Sequence, residues 1–163
     1  MVLGLSLATY TMLHVVISLI GIVSGLIVVG GLLSGTRLSV MTAIFLITTL
    51  ATTLGGFLFP FNGFTPAIGV GVISTIILAV TIAARYIYRL RDRWRWIYAG
   101  GAVLSLYLNF FVAVVQSFQK IPAFNAYAPM GNEPPFAIAQ GIVLVGFIVI
   151  GMVALARFRP TVS

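Results

Sequence analysis

The chain has no cysteine, a single histidine and only two acidic residues among its 163 positions. Without cysteine it can form no disulfide framework, no thiolate nucleophile and no cysteine-based zinc cluster. Asp92 and Glu133, the only carboxylates, leave no paired-carboxylate chemistry within the hydrophobic body of the chain. Charged residues make up 7% of the sequence, against roughly a quarter in a soluble domain. Hydrophobic residues reach 61% and the mean hydropathy is +1.18, which is the composition of a membrane protein. The net charge of +7 does not point to nucleic acid, because a nucleic-acid surface needs a solvated basic face of its own.

What the chain has in abundance is long apolar runs. A spanning helix needs about 20 mainly apolar residues, and five such runs are present, over about 7–33, 40–58, 65–90, 94–119 and 136–156. The fold class expected is therefore all-α, a single domain over 1–163 formed as an integral membrane bundle of five transmembrane helices. The first run ends at Ser34-Gly35-Thr36-Arg37 and the second at Phe59-Pro60-Phe61-Asn62-Gly63, both rich in chain-breaking residues. Thr65-Pro66 predicts a helix start with an N-cap followed by proline in the first turn. Arg91-Asp92-Arg93 is too short to join anything but antiparallel neighbours, with Asp92 expected to cap the fourth helix. No basic segment precedes the first run, which is too long for the hydrophobic part of a signal peptide and is expected to stay attached.

Charge gives the expected orientation. Arg37, Arg85, Arg89, Arg91, Arg93, Arg95, Arg157 and Arg159 fall on one side of a five-span chain and Lys120 alone on the other. Lys and Arg accumulate on the cytoplasmic side, so the N-terminus is expected outside and the C-terminus in the cytoplasm. Trp94, Trp96, Tyr86, Tyr88 and Tyr98 read as an aromatic belt at the inner face, and Tyr10, Phe61, Phe64, Phe118, Phe124 and Tyr127 as one at the outer face. Helix packing is expected to use small residues, Gly21 with Gly25 and Thr75 with Ala79 and Ala83, at four-residue spacing. Thr48, Thr49, Thr52 and Thr53 are expected to return their hydroxyls to carbonyls one turn back.

Two groups of polar residues are candidates for function. Arg85, Arg89, Arg91, Arg93 and Arg95 form a cluster suited to anionic lipid headgroups on the cytoplasmic side. Placed by depth, His14, Asn109, Gln116 and Gln140 collect in the outer half of the bilayer, with Lys120 and Glu133 bracketing the loop over 120–135. Intramembrane polar and ionisable groups are candidate functional residues. They would form a pocket under that loop for a small polar or quinone-like headgroup, with His14 as proton acceptor or ligand and the amides as hydrogen-bond donors. The competing reading is interhelical hydrogen-bond glue. One histidine excludes bis-histidine haem ligation within a monomer, although a symmetric dimer could supply it. The loop, with its prolines and apolar side chains, is expected to lie flat over spans one, four and five and to bring Lys120 to Glu133. Glu133 also suits the positive end of the last helix. No catalytic group, metal ligand set or particular cofactor is indicated.

With Phe59-Pro60-Phe61 and Thr65-Pro66, Ala84-Arg85-Tyr86, Leu106-Tyr107-Leu108-Asn109, Gln116 through Pro122, and Ala128-Pro129 through Phe136, the chain resembles a family of small, uncharacterised bacterial multispan membrane proteins. The resemblance implies a protein of the bacterial cytoplasmic (inner) membrane and carries no activity, ligand or site residue with it. The function expected first is a non-enzymatic accessory or structural subunit of a membrane assembly, with other membrane subunits or copies of itself as partners. A self-associating channel or small-solute carrier using the outer polar residues comes second. A quinone- or haem-associated redox subunit, with His14 and Glu133 as acid and base, comes last.

Overall fold

The computed structural model describes residues 1–60, 63 and 65–159. Phe61, Asn62 and Phe64, assigned above to a turn and to the outer aromatic belt, lie outside the described residues. Among the described residues, regular structure is helical apart from an isolated bridge between Val2 and Leu5. In the same described residues, five helices are long and apolar enough to cross a membrane.

The first helix, α1 (Leu7–Leu33), starts where the Ser6 hydroxyl accepts from the Thr9 backbone N–H at 3.1 Å and stops at Ser34, before Gly35 with φ +72°. Helix α2 (Ser39–Gly56) has Leu38 at its N-cap position and no side-chain cap, and it ends at a glycine pair, two residues short of the sequence-based boundary. Helix α3 (Pro66–Ile82) begins as the sequence predicts, with the Thr65 hydroxyl accepting from the Ile68 N–H at 3.4 Å and proline in the first turn. Helices α4 (Trp94–Lys120), the short α5 (Pro122–Asn125) and α6 (Pro134–Arg157) complete the chain.

The largest departure from the expected boundaries is at the end of the third span. It does not continue as α-helix to Leu90; α3 gives way to a π-helical turn over Ala83–Ile87. The wider turn lets the Leu90 N–H reach the Ala84 carbonyl at 3.0 Å while Arg89 and Leu90 take left-handed φ values of +51° and +61°. Non-glycine residues in that region cost on the order of 1 kcal/mol each. Here Leu90 buries its side chain to 3% exposure and Tyr88 stacks on Trp94 with ring centroids 3.6 Å apart, packing that offsets the strain. Asp92 does not cap α4 as expected. It is itself left-handed at φ +46°, and the N-cap position falls to Arg93, whose side chain makes no capping bond.

Helix α4 lies at the centre, packed against α1, α3 and α6, while α2 bridges α1 and α3. Small residues set the closest approaches. A Cβ at Gly21 would meet Thr49 Oγ1 at 3.2 Å, and one at Gly25 would meet Leu106 Cδ1 at 2.6 Å and Phe45 Cε2 at 2.8 Å. The expected pair on α1 therefore does admit neighbouring helices. The core is confined to one half of the bundle: Val28, Val29, Leu32, Phe45, Leu78, Ala84, Tyr98, Ala102 and Ala154 are all buried. This is the half where Arg85 reaches Ser39 and where the Arg157 guanidinium approaches the Leu33 carbonyl at 3.5 Å. Beyond it, toward the end that carries the 120–135 loop, α1, α4 and α6 bury few side chains, with Tyr10 an exception.

Candidate functional site

The six outer residues do not converge on one pocket. His14, half-buried on α1, packs its ring edge-to-face on Phe59 with centroids 5.1 Å apart, over the Gly55-Gly56 pair of α2. Beside it the Tyr10 hydroxyl donates to the Gly55 carbonyl at 2.8 Å. Asn109 turns to a different neighbour and donates from Nδ2 to Thr49 Oγ1 at 3.1 Å, tying α4 to α2. Gln140 donates from Nε2 to the Phe111 carbonyl at 3.1 Å, tying α6 to α4, and its Oε1 is buried without a partner. Gln116 and Lys120 are exposed. A common depth thus did not mean a common azimuth, and the pocket expected under the loop is replaced by separate interhelical contacts.

The loop itself folds back on α4 and the first turn of α6. Helix α5 packs on α4, the Asn125 amide donates to the Phe118 carbonyl at 3.1 Å, and Phe118 lies between Phe124 and Phe136 with centroids 5.6 and 5.5 Å away. The expected Lys120 to Glu133 pair is not formed. Glu133 Oε1 accepts from the Met130 N–H at 2.8 Å and Oε2 from the Asn132 N–H at 3.0 Å, closing the turn at Gly131, φ +73°. A carboxylate that accepts two backbone N–H groups is favoured in its charged form. The Met130 bond, ahead of other backbone contacts that include Asn132, holds the Glu133 carboxyl below its ordinary value of 4.5. Because the native value is lowered, the carboxylate's contribution to loop order is present above pH 4.5 and is lost as pH falls through the native value. An NMR titration of the Glu133 carboxyl carbon should show a midpoint below 4.5, with the Met130 and Asn132 amide signals moving in the same step. A midpoint at or above the ordinary value, or amides that ignore the step, would contradict this geometry.

At the opposite, basic end the arginines divide into two kinds. Arg89, Arg91 and Arg93 are exposed, as a headgroup cluster requires, whereas Arg85 and Arg95 are half-buried, each with a buried Nε that has no acceptor. Arg95 rests over the Trp96 ring at 5.1 Å. Arg85, within the π-helical turn, reaches across to the start of α2. Its Nη2 donates to Ser39 Oγ at 3.1 Å, and its guanidinium carbon stands 5.2 Å from the Tyr98 ring centroid. The Tyr98 hydroxyl is paired with Thr42 Oγ1 at 3.1 Å, deep in the core. Tyr98, assigned above to the inner aromatic belt, is 1% exposed and belongs to that core. Tyr10 likewise leaves the outer belt for the interface of α1 with α2.

The Arg85, Ser39, Tyr98 and Thr42 node was not anticipated. One signal was available: Arg85 lies inside the third apolar run as drawn, five residues before its end, while its companions lie at or beyond the end. Among the described residues no group of three or more histidine, cysteine, aspartate or glutamate side chains is placed to hold a metal. Among the described residues, shallow, open apolar grooves lie between α2 and α3, about 170 Å³, and between α4 and α6, about 200 Å³, and neither is lined by any of the six outer residues. Compared with known proteins, the chain matches no family model, no curated protein and no solved structure.

Proposed function

We propose that this protein is a non-enzymatic accessory or structural subunit of a bacterial inner-membrane assembly, with its N-terminus outside and its basic end in the cytoplasm. The observation that carries the reading is the state of α6. It packs mainly on α4, with a smaller contact to α1, through one face that includes Phe136, Gln140, Val143, Phe147, Ile150 and Ala154, and most of its other residues are exposed. Its outward face is apolar, and Gly141 and Gly146 have nothing within 4 Å of an added Cβ. Open small residues on a lipid-facing helix permit close approach of another helix, either from a partner subunit or from a second copy. The orientation is supported by the gathering of the arginines at one end, and the bacterial inner membrane by that asymmetry together with the sequence resemblance. Asn109 and Gln140 donate to neighbouring helices, which favours glue over a hydrated path or a ligand pocket. The exposed arginines are suited to anionic lipids of the cytoplasmic leaflet.

Native mass measurement after extraction in mild detergent tests the subunit reading. An oligomer, or a reproducible co-purifying membrane protein, is the expected result, and Gly141→Leu should weaken it. A strictly monomeric species with no companion would contradict it.

A further inference from the structure

We propose that the groove between α2 and α3 at the basic end holds one anionic phospholipid, with its phosphate on Arg85 and Ser39 and an acyl chain in the adjoining apolar recess. This rests on the general reading of the arginine cluster as lipid-facing and narrows it to one residue and one groove. A guanidinium carries five N–H donors and no acceptor. For Arg85 the protein supplies Ser39 Oγ to Nη2 and the faces of Tyr98 and Tyr86, at 5.2 and 5.8 Å, while Nε is buried without an acceptor. Leaving a desolvated charged donor unpaired is costly. The position adds to the imbalance, because Ser39 opens α2, whose first turn has no side-chain cap. A cation at the positive end of a helix is electrostatically unfavourable unless an anion lies between them.

Among the described residues no carboxylate is placed there. Glu133 is at the opposite end of the bundle with both oxygens engaged, and among the described residues Asp92 makes no hydrogen bond to Arg85. The non-bridging oxygens of a phosphate diester match the fork of a guanidinium. A recess of about 170 Å³, lined by Ala43, Leu46, Ile47, Leu50, Ile82 and Tyr86, begins one helical turn beyond Ser39. From Ser39 to Leu50 is about 16 Å along the helix, close to half of a hydrocarbon core about 30 Å thick. A polar anchor at the interface followed by an apolar slot one leaflet deep is the order of parts in a phospholipid. Inorganic phosphate would use the anchor alone.

The test uses the full-length protein in mild detergent, offered dioleoyl phosphatidylglycerol, dioleoyl phosphatidylcholine or excess inorganic phosphate, with bound species counted by native mass spectrometry. Wild type should retain one phosphatidylglycerol about tenfold more strongly than phosphatidylcholine, the low end of what a hydrogen bond to a charged group is worth. Inorganic phosphate should not displace it. Arg85→Gln should weaken retention about tenfold and Arg93→Gln, an equal change in net charge at an exposed site, less than about twofold. Ala43→Phe, which fills the recess and spares Arg85, should also weaken it. It keeps the proposal testable if Arg85→Gln does not fold. Equal losses from Arg85→Gln and Arg93→Gln would overturn the specific site while sparing the general reading of the arginines. No preference for phosphatidylglycerol in wild type would overturn both. Displacement by inorganic phosphate with no effect of Ala43→Phe would make this a free-anion site and overturn the lipid.

Discussion

Replacing Gly101 with valine is expected to destabilise the bundle by about 3 kcal/mol, the upper range for forcing added carbon atoms into a packed interior. A Cβ at Gly101 would overlap Thr81 Oγ1 and stand 3.2 Å from Thr81 Cβ. Thr81 cannot turn away, since its hydroxyl donates to the Ile77 carbonyl at 2.7 Å and its side chain is buried. Relief must come from separating α3 and α4, which loosens Leu78, Ala84, Ala99 and Ala102 together. Gly101→Ala should show a smaller loss, and adding Thr81→Ala should recover part of it. Gly141→Val, where nothing lies within 4 Å of the new atom, should stay within about 0.5 kcal/mol. Reversible unfolding in mixed detergent would measure the series. Equal effects at Gly101 and Gly141 would mean that α3 and α4 do not meet as described.

Truncating Tyr98 should be comparably severe. Tyr98→Ala removes a ring that is 1% exposed from beneath Arg85 and beside Phe158, 5.7 Å away between centroids, and buried aromatic truncations cost about 3–5 kcal/mol. Tyr98→Phe separates the contributions. It keeps the ring that Arg85 covers and deletes only the hydroxyl bonded to Thr42. Interhelical hydrogen bonds in membranes average about 0.6 kcal/mol with a maximum near 1.7, and Thr42 lies within a helix whose carbonyls offer its hydroxyl another acceptor. The phenylalanine variant should therefore lose about 1 kcal/mol or less. A loss for Tyr98→Phe as large as that for Tyr98→Ala would show that the hydroxyl network, rather than packing, holds this end of the bundle.

Much of the fold was legible in the sequence because lipid makes helix length a property of composition. The α1 boundaries agree with the apolar run to the residue, and Thr65-Pro66 marks the start of α3 by chemistry confined to its first turn. The π-helical turn at Ala83–Ile87 was not legible. No residue there demands it, and the left-handed Arg89 and Leu90 persist through the burial of Leu90 and the stacking of Tyr88 on Trp94, which are tertiary facts. The outer polar residues show the same limit. Depth follows from counting at about 1.5 Å per residue, but azimuth follows from which helices touch, and His14 faces α2 while Gln140 faces α4. Tyr98 was read as an interfacial ring because tyrosine is common there. Only the closeness of α2, with Thr42 aimed at its hydroxyl, reveals it as core.

The gathering of basic residues at one end has meaning only if the five helices cross a bilayer in alternating directions. The natural sequence contains no cysteine, so single cysteines at Leu3, Thr36, Asn132 and Arg159 can be tested one at a time with a membrane-impermeant maleimide on intact cells. With an external N-terminus and five crossings, Leu3→Cys and Asn132→Cys should label from outside, and Thr36→Cys and Arg159→Cys only after the membrane is permeabilised. Labelling of Thr36→Cys and Asn132→Cys from the same side, or of Arg159→Cys in intact cells, would contradict the five-span arrangement with its arginines inside.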